Sequence, residues 1–459
     1  MSKKVYIIAG GTKNFVTAHL ALSAPAYGSV GVQLYDHLSA LLPIEEYDVY
    51  LVRTREARQE AENSTRMADK QLSSIGFNGH LETNEDMARL IDKLVADPDT
   101  RGIVMAASIC DVEPAMLYSL DAEDSTVLTS FDKHAQRLNP NGGLTLCLKP
   151  SEKLIDRIRK DRKDIFLVSF KNGTDKNGVH GQKALYKAAL TSLKRSSSNL
   201  VYGNGIVSGC AYNMIVTPEE FPYHYDTREE GIKALAKMTA ARLNLTFNRT
   251  RISKDMHRFL IKPKTPTWDA IAPRNFWPVL RHCVTHGAYK PGPTGATTGH
   301  FGCKTMKRES EYEAIRLSSV RKADHNKVAE EGLVPIFEDE QGEVCGGVKP
   351  SVGETTQALI YKMLPDVDSI IHFHCPLRDE ANYGLSLPIA DQFQFECGSN
   401  ECGMNTATNM AEVGDGIWVV HLRGHGPNIA WAHGVPYHEV IDVIEEHWDL
   451  AGKEGGLLV

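Results

Sequence analysis

Two histidines separated by one residue, His372 and His374, end the apolar stretch Ser369–His374. The branched residues before them predict a β-strand, whose side chains alternate between its two faces. Both imidazoles therefore point to the same side, with Cα atoms about 7 Å apart, and can converge on one ion. The alternative for such a pair is two buried, hydrogen-bonded histidines without a metal.

A third histidine, His425, lies between two glycines, which let the backbone approach closely and turn sharply. Catalytic zinc sites commonly use three histidines and keep one position open for substrate. Glu354 stands at a predicted helix start, and a carboxylate beside a metal can act as an acid or base. A zinc site with ligands His372, His374 and His425 is one interpretation of these residues, and a metal-free group of buried histidines is the other.

The order of these residues resembles the class II aldolase/adducin family. The matching segments, within residues 272–459, are Gly299–Lys304, Pro350–Glu354, His372–His374 and His425–Gly426. The resemblance implies Zn²⁺ or another divalent metal, which would act as a Lewis acid on a carbonyl oxygen. It implies a lyase of the aldehyde-lyase type, with Glu354 as acid/base. Cleavage, epimerisation and dehydration of a sugar phosphate or related hydroxy-carbonyl compound all stay open.

The same resemblance implies that backbone N–H groups and a helix start hold a substrate phosphate. The residues at the matching positions are Thr298, Gly299, Ser318, Ser319 and Ser351. One position departs from the family, because His300 stands where the phosphate loop has an asparagine. The substrate could therefore differ from the family's usual one.

The N-terminal half opens on a strand, Val5–Ile8, that runs into a glycine turn. Further short motifs follow at Tyr27–Gly31, Met105–Asp111, Leu144–Pro150 and Leu200–Asn204. In this order they resemble the phosphopantothenoylcysteine synthetase family, the ligase half of the bifunctional coenzyme A proteins. The resemblance implies a Rossmann-like fold that binds ATP or CTP with Mg²⁺ at its strand ends and joins a carboxylate to an amine. The residues implied are Gly10, Gly11, Thr12, Gly28, Asp111, Lys149 and Asn204 for the nucleotide, and Lys133 for catalysis.

Two departures favour nucleotide or phosphate binding over authentic ligation. Ala24 falls near the family's intermediate-binding asparagine, and Ser169–Thr174 lacks the family's glutamate. Two alternatives to a two-domain enzyme stay open. One is a phosphopantothenate–cysteine ligase whose C-terminal half only mediates oligomerisation, and the other is a non-catalytic binding or assembly protein that keeps both folds.

The elements around these residues predict an α/β protein of two domains. Short apolar runs alternate with helical patterns through residues 1–245, which is typical of a parallel sheet covered on both faces. Residues 246–271 are basic and proline-containing without a sustained period, and we predict a linker there. We expect a Rossmann-like parallel-sheet domain over 1–245 and a class II aldolase-like α/β/α domain over 272–459.

Charge and composition limit the classes of partner that we expect for this protein. The formal net charge of −7 gives no electrostatic reason to expect nucleic acid or an anionic membrane. Nine cysteines without paired spacing fit reduced thiols, and no apolar run is long enough for a membrane helix, so we expect a cytoplasmic protein. The expected partners are a phosphorylated small molecule and a nucleotide. The resemblances imply a homo-oligomer, dimeric through the N-terminal domain and tetrameric through the C-terminal one.

Overall fold

The computed structural model describes most of the chain as two α/β units. The described residues are 2–57, 72–119, 127–135, 144–175, 179–207, 209–247, 250–253, 272–291, 295, 297–305, 315–321, 325, 333–339, 342–346, 348–378 and 387–455. Residues 254–271 of the predicted linker lie outside them. Within these ranges, no helix has the length and apolar character that crossing a membrane requires.

The first unit is built on a seven-stranded sheet. The strands of this half are β1 (Lys3–Gly11), β2 (Lys13–Thr17), β3 (Leu20–Ser23), β4 (Tyr47–Arg53), β5 (Thr100–Ser108), β6 (Val112–Ser119), β7 (Val127–Leu128), β8 (Leu144–Pro150), β9 (Phe166–Asp175), β10 (Leu200–Val207), β11 (Cys210–Val216) and β12 (Pro222–Tyr225). The sheet order is β12-β11-β10-β9-β5-β1-β4, and the five strands from β10 to β4 run parallel. The strands β6, β7 and β8 form a separate antiparallel ribbon.

Helices cover both faces of this sheet. They are α1 (Ser29–Leu41), α2 (Asn84–Ala96), α3 (Ile155–Asp161), α4 (Val179–Ser196) and α5 (Arg228–Arg242). Alternate residues of β1 enter different cores: Val5 and Ile7 pack with α1 and α5, whereas Tyr6 and Ile8 pack with α2 and α3. A strand that is buried on both faces has an unbroken run of apolar residues in its sequence, and β1 has such a run.

The second unit contains a ten-stranded, mostly antiparallel sheet. Its strands are β13 (Arg251–Ser253), β14 (His300–Lys304), β15 (Arg316–Ser319), β16 (Leu333–Asp339), β17 (Gly342–Gly346), β18 (Val367–His372), β19 (Ile389–Asp391), β20 (Ala411–Gly414), β21 (Ile417–Arg423) and β22 (Gly426–Ala432). The order is β13-β17-β16-β15-β14-β18-β22-β21-β19, and β20 also pairs with β21. The edge strand β13 belongs to the range predicted as a linker and pairs in parallel with β17.

Helices also cover both faces of this second sheet. They are α6 (Phe276–Thr285), α7 (Glu354–Met363), α8 (Asn400–Asn409) and α9 (Tyr437–His447). Leu280 of α6 and Ile444 of α9 share one core with Ile371 of β18. Ile360 of α7 packs on the opposite face with Ile370. The layers are thus α/β/α, and the predicted fold class is confirmed in both units.

Candidate functional site

The candidate site forms where β18 ends in the middle of the second sheet. His372 is the last residue of β18 and lies opposite His300 of β14 and Asn428 of β22. This central position leaves His372 only 1% exposed and His374 only 8% exposed. His425 follows β21 in the turn to β22 and is also buried.

Two glycines allow neighbouring loops to close onto this strand. Gly299 has φ of 101°, and a Cβ atom there would lie 2.4 Å from the carbonyl oxygen of His372. Gly426 has φ of 120°, and its Cβ would lie 2.3 Å from the carbonyl oxygen of Phe373. Residues with side chains rarely adopt such φ values and would collide with the backbone here. Glycine at position 426 therefore brings the adjacent His425 against the strand.

The three predicted ligands converge. The ligand nitrogens of His372, His374 and His425 all lie within 4.8 Å of one another. The Nε2 atoms of His372 and His425 are 3.2 Å apart. His372 Nδ1 donates to the carbonyl oxygen of Pro427 at 2.7 Å, which leaves the Nε2 lone pair directed toward His425. The Nδ1 atoms of His374 and His425 are buried without a hydrogen-bond partner among the described residues. Three convergent imidazoles are a donor set that suits zinc and similar divalent ions.

Burial keeps these imidazoles neutral. Removal of water from around the ring lowers the pKa of His372 to about 4. Burial also holds the pKa values of His374 and His425 well below the ordinary histidine value, and neighbouring imidazoles lower them further. A histidine must be unprotonated to bind a metal. The cluster is therefore in its binding form at neutral pH.

Glu354, the predicted acid/base, begins α7 and is buried. Its carboxylate accepts hydrogen bonds from the guanidinium of Arg316 and, at 2.5 Å, from the hydroxyl of Thr250. Arg316 also pairs with Glu343. At this cluster, the converging ligand atoms of the described residues belong to the three histidines, and the Glu354 carboxylate is not one of them. Arg316 was not predicted from the sequence, although a cation two residues before Ser318 was an available signal.

His300 connects the start of α7 to the cluster. Its ring centroid is 4.8 Å from that of His372. Gln357 of α7 hydrogen-bonds its Nδ1 at 2.9 Å, and a Cβ on Gly353 would lie 2.3 Å from its Nε2. Burial holds the pKa of His300 well below the usual value. His300 thus fills the space between His372 and the residue that precedes Glu354.

Only some of the residues predicted to bind a substrate phosphate lie close together. Gly299 touches the backbone of His372, and the Ser351 N–H donates to the Ser319 carbonyl oxygen at 2.7 Å. The Ser319 hydroxyl accepts from the N–H of Phe301. Ser318 is fully buried, and as the preceding residue of β15 it points to the opposite face from Ser319. Thr298, in the loop before Gly299, is half-buried.

The glycine turn of the first unit packs against the start of α1. Gly28 caps that helix with φ of 79°, and a Cβ there would lie 3.7 Å from the Gly10 backbone nitrogen. A Cβ on Gly11 would collide with the carbonyl oxygen of Ala24. The hydroxyl of Thr12 is fully buried and joins three segments, because it donates to Asn84 at 2.6 Å and accepts from the Cys110 N–H. The predicted residues Gly10, Gly11, Thr12 and Gly28 are therefore neighbours, and the Thr12 hydroxyl has structural partners.

The other residues predicted for this half lie in other segments of the chain: Asp111, Lys149 and Asn204 for the nucleotide, and Lys133 for catalysis. Lys133 and Lys149 line a cleft of about 940 Å³ between the start of α2 and the β6–β8 ribbon. Lys149 pairs with Glu113 there. Asp111 is largely exposed and pairs with Lys153. Asn204 lies on β10, where its side-chain oxygen is buried without a hydrogen-bond partner within the described ranges.

Part of the N-terminal unit lies beside the histidine cluster. The backbone of Glu219, in the turn between β11 and β12, lies near the His374 ring and acts to raise its pKa. The Glu219 carboxylate forms a fully buried ion pair with Arg242 at 3.2 Å and accepts from the Cys397 N–H at 2.7 Å. Arg242 also donates to the carbonyl oxygen of Phe393. This connection joins residues far apart along the chain and was therefore not predicted from the sequence.

A second carboxylate at the boundary between the units is Glu396. It accepts hydrogen bonds from the Asn199 amide at 2.9 and 3.1 Å. Burial raises its pKa to about 7, while the Arg242 charge works against this shift. The native carboxyl thus holds its proton more tightly than an unfolded one, whose pKa is near 4.5. The stability this group contributes is present below pH 4.5 and is lost as the pH rises through 7.

Replacing Glu396 with glutamine is expected to remove this pH dependence. Between pH 5 and pH 8, the free energy of unfolding should fall by about 2–3 kcal/mol more in the wild type than in Glu396→Gln. Denaturant unfolding at the two pH values measures the difference. The exposed Glu412→Gln should behave as the wild type. Equal pH dependence in the wild type and Glu396→Gln would contradict the assignment.

Comparisons with known proteins find relatives of each half. No protein-family model matches the chain. The chain is 22% identical over 202 residues to the coenzyme A biosynthesis bifunctional protein CoaBC of Thermococcus kodakarensis. That match takes in 44% of this chain and 41% of CoaBC, so the chain spans about two fifths of that relative's length.

Solved structures of two kinds are also similar. The DNA/pantothenate metabolism flavoprotein from Streptococcus pneumoniae aligns with a TM-score of 0.40 and 17% identity, over 52% of this chain and 99% of that one. L-Fuculose-1-phosphate aldolase from Thermus thermophilus aligns with a TM-score of 0.26 and 15% identity, over 38% of this chain and 89% of that one. These two kinds of protein are the ones that the sequence resemblances name.

Proposed function

We propose that the chain is a two-domain enzyme whose C-terminal unit is a divalent-metal lyase, with zinc as the preferred ion. The observation that carries the proposal is the convergence of three buried, neutral imidazoles from His372, His374 and His425. Three such nitrogens, with space left for substrate, are the usual protein contribution to a catalytic zinc site. When bound, a divalent ion supplies a Lewis acid for a carbonyl or hydroxyl oxygen of the substrate.

The surrounding residues support this use of the histidines. The Pro427 carbonyl oxygen accepts a hydrogen bond from His372 Nδ1 and so fixes the ring of His372. Hydrogen bonds of this kind set the tautomer and orientation of metal-binding histidines. The alternative is a cluster of hydrogen-bonded core histidines. It leaves the buried Nδ1 atoms of His374 and His425 unexplained, since unpartnered buried nitrogens are costly.

Glu354 is the group we assign to proton transfer at the substrate. It is the buried carboxylate that follows Gly353, and Gly353 lies against His300 next to the cluster. Arg316 and Thr250 hold both carboxylate oxygens in this structure. To reach a substrate, Glu354 has to exchange at least one of these contacts. Arg316 thus positions the carboxylate between turnovers.

The substrate class we propose is a small phosphorylated hydroxy-carbonyl compound. Gly299 lies against the backbone of His372, and Ser351, whose N–H donates to the Ser319 carbonyl oxygen, stands just before the start of α7, where N–H groups favour an anion. Thr298 lies beside them, whereas Ser318 points to the other face. Cleavage, epimerisation and dehydration are all compatible with this set of residues.

For the N-terminal unit we propose nucleotide binding, with ATP or CTP and Mg²⁺ as ligands. The parallel sheet and the glycine turn of Gly10, Gly11 and Gly28 support it, because such sheets bind ligands at their strand ends. The 22% identity to CoaBC also supports this proposal. Ligation of a carboxylate to an amine, with Lys133 as a catalytic residue, is the second candidate function. A homo-oligomeric assembly and a cytoplasmic location complete the proposal.

Replacing Glu354 with glutamine tests the assignment of the acid/base. The change keeps size and hydrogen-bonding capacity, and we expect metal content to stay while turnover falls about 10²- to 10⁴-fold, the usual contribution of a general acid or base. The measurement is conversion of a panel of sugar phosphates by the metal-loaded protein, with deuterium uptake from solvent as a second readout.

The matched control is Glu439→Gln, an exposed carboxylate in the first turn of α9, which should keep wild-type turnover. Unchanged turnover in Glu354→Gln would overturn its catalytic assignment. Absence of both metal and turnover in the wild type would favour the alternatives, a non-catalytic assembly protein or a ligase with an oligomerising C-terminal half. Pyrophosphate release from a nucleotide with acid and amine substrates separates those two.

A further inference from the structure

A second group of metal-ligating side chains lies outside the site described above. His282 lies in the last turn of α6, His286 caps that helix, and Glu445 lies on α9, which packs against α6. One ligand atom from each of these three residues lies within 4.8 Å of the other two. The group shares no residue with the His372 cluster.

The helix geometry explains why the two histidines meet. Residues four apart lie on the same helix face, and the rings of His282 and His286 stack with centroids 4.0 Å apart. His286 Nδ1 donates to the carbonyl oxygen of His282 at 2.8 Å, as expected at a helix end. This hydrogen bond leaves the His286 Nε2 lone pair free to bind a ligand.

The contact between His282 and Glu445 is close but incomplete. The carboxylate oxygen Oε1 of Glu445 lies 3.0 Å from His282 Nε2. Even so, this Nε2 is buried and forms no hydrogen bond of normal geometry with the described residues. A nitrogen and a carboxylate oxygen that lie close together without a good hydrogen bond are in a suitable arrangement to share a cation.

We propose that His282, His286 and Glu445 form a second divalent-metal site that fastens α9 to α6. Two imidazoles and one carboxylate are a donor set for zinc, cobalt or nickel rather than for magnesium or calcium, which prefer oxygen ligands alone. Glu445 and His286 are exposed, so solvent completes the coordination. Because of that exposure, we expect weaker binding here than at the buried cluster.

A metal at this position would stabilise the packing of the last helix. Val440 and Ile444 of α9 belong to the same core as Val279 and Leu280 of α6. An ion that bridges the exposed sides of these helices would restrain them above that shared core. Binding to the folded chain alone raises its melting temperature, by an amount that grows with ion concentration relative to the dissociation constant.

The experiment uses the full chain with His372→Ala, so that the first site does not contribute. Cobalt(II) is titrated into this metal-free variant, and bound ion is followed by visible absorption and calorimetry. We expect about one ion per chain and a melting temperature raised by about 5 °C at 100-fold excess over the dissociation constant. Adding His286→Ala or Glu445→Gln should remove both effects. Adding His438→Ala, an exposed histidine on the same helix, should remove neither.

Cobalt binding that persists unchanged after His286→Ala and Glu445→Gln would overturn the proposal. So would a His372→Ala variant that binds no cobalt. Because both replaced side chains are exposed, the variants are expected to fold, and circular dichroism checks this. The outcome does not depend on the lyase proposal, since the His372 cluster is already disabled in every variant.

Discussion

Replacing His372 with alanine is expected to remove the tightly held divalent ion and to abolish lyase turnover. The histidine supplies one of three convergent nitrogens, and its partner His425 lies 3.2 Å away. Loss of an orienting neighbour alone typically weakens metal affinity 10- to 100-fold. Loss of a ligand should exceed that, so we expect the dissociation constant for zinc to rise at least about 100-fold. Elemental analysis and zinc titration of the purified protein measure the change.

The control for this prediction is His433→Ala. His433 is exposed in the same unit and contacts Asp368, away from the cluster. It should keep the wild-type affinity and turnover. Zinc binding by His372→Ala that matches the wild type, with the fold intact by circular dichroism, would contradict the assignment of His372 as a ligand.

Replacing Arg242 with methionine should have the largest effect on stability. Arg242 and Glu219 are both fully buried, and the change would leave the Glu219 carboxylate without its counter-ion between the two units. Breaking a buried ion pair on one side typically costs about 3–5 kcal/mol. We expect that loss in the free energy of unfolding, measured by denaturant titration.

A double variant distinguishes the stability cost of an unpaired buried charge from the cost of lost packing. Arg242→Met combined with Glu219→Leu removes both charges and should recover much of the stability, since replacing a whole buried pair by apolar residues is often close to neutral. Zinc affinity should fall in Arg242→Met as well, because the Glu219 backbone lies near the ring of His374. A loss below about 1 kcal/mol in the single variant would contradict the account of this interface.

The local pattern of the sequence was enough to place the histidines. Strand alternation depends on neighbouring residues alone, so His372 and His374 could be assigned to one face, and the glycines beside His425 indicated a close turn. The same reasoning gave the α/β class, because apolar runs such as Val5–Ile8 are directly visible. These features need no knowledge of distant contacts.

Contacts between distant residues could not be read in this way. The partners of the Thr12 hydroxyl, Asn84 and Cys110, come from other segments of the first unit. The pairing of Glu354 with Arg316 depends on how β15 packs against the start of α7. These contacts are set by the packing of whole elements, which no short motif encodes.

The two units contact each other near the histidine cluster. From the sequence we predicted two domains, residues 1–245 and 272–459, joined by a linker over 246–271. In the structure, Glu219 of the first half touches His374 of the second, and Asn199 holds Glu396. The first unit therefore contributes to the surroundings of the histidine cluster. We expect metal affinity to depend on both halves of the chain.

The most direct test of the central claim is an anomalous diffraction measurement at the zinc edge, on crystals of the wild-type chain grown with zinc. The account predicts a peak bonded to one nitrogen each of His372, His374 and His425, at the usual zinc–nitrogen distance of about 2.0–2.1 Å. Crystals that contain zinc elsewhere but have no peak among these three rings would contradict it.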